Sequence, residues 1–216
     1  MKLNYILIVI SPVIFTTCTS CVHYYYAPNS NNVPLFKEKN EVRVSAQYVE
    51  TGGDVDLESA DGIEIQTAYA VSNNAAVQLN FLSAGKTDED GSGSGTYIEA
   101  AGGYFKTFGR KKKFVFETYA GAGFGSVKNH FIYNGNGDAK TSIAKGFIQP
   151  SLGFASRYFC AAFSSKFSLV TLGSKSSNIN EAQHPTDYAF VNSLKGGKSY
   201  LFWEPGIMLR GGFEQA

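Results

Sequence analysis

From Glu41 onward the chain repeats one unit, a run in which apolar and polar residues alternate, and the runs are joined in turn by a long polar loop and by a tight turn. Alternation at period two marks a β-strand with two unlike faces. A soluble sandwich has no reason to gather its long connections at one end. A barrel threaded through an outer membrane does, with short turns on the inner side and long loops outside. The only apolar stretch approaching a helical span is N-terminal, which excludes an ordinary helical membrane protein.

The first run, near Glu41–Glu50, sets Val42, Val44, Ala46 and Tyr48 against Arg43, Ser45 and Gln47. After a loop with Gly52-Gly53-Asp54, the second sets Ile63, Ile65, Thr67, Tyr69 and Val71 against Glu64, Gln66 and Ala68. The turn Ser72-Asn73-Asn74 leads to Val77, Leu79 and Phe81, opposite Gln78 and Asn80. A mobile polar loop is expected over Ala84–Gly95, then a strand over Thr96–Phe108 with Ile98, Ala100, Tyr104 and Phe108 opposite Glu99. Beyond the basic turn Gly109–Lys112, Phe114, Phe116, Ala120, Ala122 and Phe124 oppose Glu117, Tyr119 and glycines. A second long loop is expected over Asn129–Thr141. The sixth run sets Ile148, Leu152 and Phe154 against Lys145, Gln149 and Ser151. The seventh sets Phe159, Phe163, Phe167 and Leu169 against Ser164, Lys166 and Ser168, and the longest loop spans Gly173–Gly197. The eighth sets Leu201, Trp203, Ile207 and Leu209 against Glu204 and Arg210.

The expectation is all-β: an antiparallel up-and-down transmembrane β-barrel of about eight strands over residues 41–216. Gly211–Ala216 stops where another tight turn could begin, which leaves the strand count open. Pro150 and Pro205 fall inside expected strands, where proline forfeits a ladder hydrogen bond, so a bulge or bend is expected at each.

The apolar faces are nearly free of charge. The opposite faces collect Arg43, Glu64, Glu99, Glu117, Lys145, Lys166, Glu204 and Arg210, which points to a paired charge network in a lumen. A barrel of about eight strands is just wide enough for side chains to fill, so a plugged barrel without a conducting pore is expected. Alternation is symmetric under turning the barrel inside out. The loop asymmetry, an export signal and a load of 13 Tyr and 17 Phe favour the membrane version. A formal net charge of +1 removes the electrostatic case for nucleic acid as a partner.

Lys2, the apolar core Tyr5–Phe15 and the small residues Thr19-Ser20 make up an export signal over residues 1–20. A small residue before a cysteine, just after such a core, resembles a bacterial lipoprotein signal. That resemblance implies lipidation of Cys21 by palmitate-type acyl chains, with Cys18 as the alternative and an ordinary cleaved signal as a second one. Residues 21–40, rich in Pro and Asn, read as an extended linker. With Cys21 acylated, Cys160 has no partner and no disulfide is expected.

Chemistry is sparse. His23, His130 and His184 lie in expected loops or linker, without metal-site spacing, and read as solvated. Asp88-Glu89-Asp90 lacks the alternation of a calcium loop. Arg110 with Lys111-Lys112-Lys113 is either a lipid-headgroup contact or a solubilising turn. Gly121–Gly125 has no helix or Lys-Ser/Thr after it, so close packing in the lumen explains it better than phosphate binding. Ser126 and His130 are the only nearby pair for a lipid-modifying enzyme. No catalytic site, cofactor site or metal site emerges.

Thr19-Ser20-Cys21, the segment Pro34-Leu35-Phe36-Lys37-Glu38-Lys39 and the hairpin from Gly102-Gly103-Tyr104-Phe105 into Phe116–Phe124 resemble small outer-membrane β-barrel proteins with a porin-like fold and lipoprotein-type signals, of the kind found in Bacteroidetes-like bacteria. The resemblance implies a lipid-anchored protein of a Gram-negative outer membrane. Its partners would be outer-membrane lipid and other envelope proteins, and it would have no assigned activity. Val22-His23-Tyr24 after the cysteine suggests an inner-leaflet anchor. The first functional expectation is a non-enzymatic barrel that displays extracellular loops. The alternative is a lipid-anchored periplasmic barrel binding a small apolar ligand inside. The two differ over whether Phe114, Phe116, Phe159, Phe163 and Trp203 point outward or inward.

Overall fold

The computed structural model describes residues 26, 28–51, 60–88, 91–132 and 135–212. The strands are β1 (Val42–Thr51), β2 (Ala60–Ala70), β3 (Ala75–Asp88), β4 (Gly91–Phe108), β5 (Phe114–Phe131), β6 (Gly137–Ala155), β7 (Phe159–Ser177) and β8 (Lys198–Gly211). One helix, α1 (Pro185–Ser193), lies between β7 and β8. Each strand pairs antiparallel with the next, giving one eight-stranded up-and-down sheet that curls into a half-barrel. Among the described residues β1 pairs only with β2 and β8 only with β7, so a seam remains between the first and last strands. A closed barrel, the form the sequence leads one to expect, would pair these two strands. Alternation specifies which residues share a face, but no local pattern specifies that the first strand pairs with the last.

Three tight connections, Val71–Asn74, Gly109–Lys113 and Ser156–Tyr158, mark one end of the sheet, here called the turn end. The opposite end carries α1. There the structure corrects two expected loops. The ladder between β3 and β4 runs on from Ala84↔Gly95 to Asp88↔Gly91, and that between β5 and β6 continues through Asn129↔Ala139 to Phe131↔Gly137. Apolar alternation ends before these strands do, because backbone pairing needs no buried face to propagate. The long Gly173–Gly197 connection remains, shortened by β7 and containing α1, whose Pro185 occupies the first turn, where a missing N–H is harmless.

The two prolines are accommodated differently. Pro205 pairs with Ser165 on β8, an edge strand, where one side of the backbone has no ladder to lose. At Pro150 the β6–β7 ladder lapses between Ile148↔Phe167 and Ser151↔Ser164, while pairing to Thr118 on β5 continues. The register shift within β6–β7 falls elsewhere, between Lys140 and Thr141.

Every strand turns its apolar set to the convex side. Ile63, Leu79, Ile98, Phe124, Ile148, Phe163 and Leu201 are all exposed there. Phe114, Phe116, Phe159, Phe163 and Trp203 also point outward, with 40–58% of their surface accessible. Hydroxyls inside this band are satisfied locally: Thr67 Oγ1 donates to Leu79 O at 3.0 Å, and Trp203 Nε1 donates to Ser165 Oγ at 2.7 Å. Toward the α1 end the band stops at a row of hydroxyls that runs from strand to strand through Ser83↔Thr96, Thr96↔Ser126, Ser126↔Ser142 and Thr171↔Ser199. At the turn end Phe108 stacks on Phe114, centroids 5.7 Å apart, and Phe114 meets Phe154 edge-on at 5.5 Å.

Candidate functional site

The concave side holds the polar residues, and it is filled. Residues read as an extended linker do lack regular structure from Pro28 to Phe36, but they run through the interior of the half-barrel, where Asn29, Asn32, Val33, Leu35 and Phe36 are buried. Buried backbone without a ladder must find side-chain partners, and the strands supply them. Gln66 donates to Ser30 O at 3.1 Å, and Gln78 and Gln149 donate to Asn32 O at 3.1 and 2.8 Å. Arg43 and Arg210, on opposite sides of the seam, both donate to Val33 O, and Arg210 also donates to Pro34 O at 3.3 Å. Asn31 reaches Ser164 Oγ and the Glu204 carbonyl at 2.9 and 3.0 Å, and Asn32 reaches Thr67 O and Asn80 Oδ1.

The close fit depends on two glycines. A Cβ at Gly153 would collide with the Leu35 side chain, and one at Gly206 would lie 2.9 Å from Asn31 Nδ2. Leu35 itself takes a left-handed backbone, φ 60°, an unusual state that its surroundings must hold.

All eight residues read as a lumen charge network face this interior. In the middle layer Lys145 Nζ lies 3.2 Å from Glu99 Oε1 and 3.1 Å from Glu204 Oε2, and Lys166 Nζ lies 3.5 Å from Glu99 Oε2. Two lysines thus balance two glutamates. Their side chains are shut off from solvent except for a tenth of Glu204. Asn29 donates to Glu99 at 2.5 Å, and Tyr26 donates to Glu204 at 3.0 Å. Glu117 accepts from Phe36 N at 3.1 Å toward the turn end. Glu64 is held by Ser30 N and Oγ, Gln47 and Gln66 in place of a basic residue.

Apolar clusters close this polar layer above and below. At the α1 end Val191 and Leu194 pack with Ile143, Val170, Leu172 and Ile179. At the turn end Phe36 meets Phe105, centroids 5.8 Å apart, and Leu35 packs with Val115, Ala155 and Ala162. The glycines of β5 serve close packing: a Cβ at Gly121 would strike Ala101, and one at Gly123 or Gly125 would strike Tyr97.

The histidines are better tethered than expected. His184 is buried, and its Nε2 lies 2.8 Å from Gly135 O, joining the α1 excursion to the β5–β6 connection. His130 Nδ1 lies 2.8 Å from Asp138 Oδ1 on the next strand. Ser126 sits four residues from His130 on the same face of β5, about 14 Å away at about 3.4 Å per residue, beyond hydrogen-bond reach. Among the described residues no group of three or more His, Cys, Asp or Glu is placed to hold a metal ion. Cys160 is free. Cys18, Cys21, His23, the signal over residues 1–20, the Gly52-Gly53-Asp54 loop, and Glu89-Asp90 lie outside the described residues.

Sequence reasoning found the charged half of this site and missed its occupant. Tyr26 and Asn29–Asn32 carry no periodicity, so nothing local marks them as interior. The available signal was complementary: Gln66, Gln78, Asn80 and Gln149 all face inward, in excess of what the charges need. Comparison with protein-family models, curated proteins and solved structures finds no match to this chain.

Proposed function

We propose that the chain is a non-enzymatic, membrane-spanning β-barrel protein of a Gram-negative outer membrane, lipid-anchored through Cys21, with a filled interior and a structural or docking role carried by its α1 end. The observation that carries this reading is the convex face. From Phe114 to Phe124 on β5 the apolar band covers about ten steps of about 3.4 Å, or roughly 24–28 Å of height at a tilt of about 35–45°, which suits an apolar band of about 25 Å. Above it come hydroxyls and then Lys128 and His130. A chain folding in water gains nothing from such a surface, because contiguous apolar patches of this size promote association.

The interior supports the non-conducting part of the reading. Side chains and residues 28–36 occupy it, and the buried ion pairs are neutral as a group. The alternative of a small apolar ligand inside draws no support from a lumen lined by Glu64, Gln66, Asn80, Glu99 and Lys145.

The test is fractionation of a Cys21→Ala variant together with gel mobility of unheated and boiled protein. Retention in the outer membrane and a heat-dependent mobility shift are expected. A variant that becomes freely soluble in the periplasm sinks the membrane-barrel reading.

A further inference from the structure

We propose that the chain is threaded: the segment before β1 enters the half-barrel at the α1 end, where Tyr26 lies, and leaves at the turn end, opposite α1. The proposal rests on the membrane reading for its sidedness, though not for the threading itself.

Three strands report the same direction independently. On β2, Ser30 bonds Glu64, Asn32 bonds the Thr67 carbonyl, and Asn40 N donates to Ala70 O at 2.9 Å at the strand's turn end. On β4, Asn29 meets Glu99 and Phe36 meets Phe105, six residues nearer the turn end. On β8, Tyr26 meets the Phe202 ring at a tilt, centroids 5.0 Å apart, and bonds Glu204, whereas Val33 and Pro34 meet Arg210. β2 and β4 run toward the turn end, and β8 runs toward it as well, so each partner series descends in step with residue number. Tyr26 also packs against the cluster that contains Val191 and Leu194 of the α1 region. A chain lying across the seam from outside, or entering from the turns, would reverse or scramble these series.

The consequence concerns the lipid anchor. Cys21 precedes Tyr26 by five residues, a reach of about 17 Å at most. If Cys21 is the anchor proposed above, its acyl chains would enter the leaflet at the α1 end. If the tight turns face the periplasm, that is the outer leaflet, not the inner one suggested by Val22-His23-Tyr24. β8 ends at the turn end, Gly211 pairing with Phe159, so the two ends of the described chain lie on opposite sides.

Site-directed labelling tests this in the full chain carrying Cys160→Ser, with that parent as control. His23→Cys, Glu181→Cys beside α1 and Lys111→Cys in a turn are each exposed to a membrane-impermeant maleimide on intact cells and again after outer-membrane permeabilisation. His23→Cys is expected to label together with Glu181→Cys and oppositely to Lys111→Cys. Labelling of His23→Cys in step with Lys111→Cys overturns the threading. If Glu181→Cys and Lys111→Cys show no sidedness, the membrane reading fails, and the direction of threading is then decided in purified protein by Leu35→Cys/Gly153→Cys, a pair at the turn end that a reversed segment would separate. A disulfide in the folded double variant supports it, and a folded variant that stays reduced overturns it.

Discussion

The convex and concave faces of this sheet are built from alternate residues of the same strands, yet they obey opposite rules. On the convex face Ile148, Phe163 and Leu201 are exposed. On the concave face Gln149, Ser164 and Lys166 are buried, and each of these three side chains meets a specific partner. Substitutions should therefore be costly for different reasons on the two sides. Inside, what matters is whether a charge keeps its partner. Outside, what matters is the solvent.

The largest effect is expected at Glu99. Glu99→Leu leaves Lys166 without its carboxylate and Lys145 with Glu204 as its one carboxylate, and breaking a buried pair in this way costs about 3–5 kcal/mol. Urea unfolding in detergent should show it. The double variant Glu99→Leu/Lys166→Met restores neutrality and should recover much of the loss. No recovery would mean that the pair is not what holds the middle layer.

Ile148→Arg probes the convex face at mid-band. It touches no interior group, so its cost of about 2–4 kcal/mol should appear in lipid vesicles and not depend on the charge network. A neutral Ile148→Arg in vesicles would break the contrast between the faces, since an arginine is tolerated only where water reaches it.

The smallest effect is expected beyond the band, where both faces meet solvent. His130→Ala removes an exposed pair with Asp138, side chains 42% and 66% accessible, and should leave unfolding unchanged within error. It should also leave lipid A composition unchanged. A loss of lipid A modification in cells expressing this variant would revive the enzyme reading.

Much of the architecture was legible. The runs from Val42 to Arg210 showed eight strands and the correct partition of each between its two faces, because a period of two is a property of the chain itself. Strand ends at Asp88, Gly91, Phe131 and Gly137 were not legible: beyond the band Gly, Ser and Thr carry no apolar signal, although the ladder persists. The helix Pro185–Ser193 was hidden for a related reason, being too short for a repeating apolar stripe to declare it. A paired network was legible around Glu99 but its pairings were not, because the ion pairs join β4 to β6 and β7, and β6 to β8, strands that are not neighbours in the sheet and meet only when it curls.

By itself the sequence determined that there are two faces, which residues share each one, and that adjacent runs pair in an up-and-down order. Only the tertiary structure decided which face is the inside, since alternation reads the same with the sheet curled either way. It also decided that residues 28–36 occupy that inside. An aperiodic segment carries no address of its own. It is placed by the buried donors and acceptors of Gln66, Gln78, Gln149, Arg43 and Arg210, whose desolvation it offsets by supplying the missing partners.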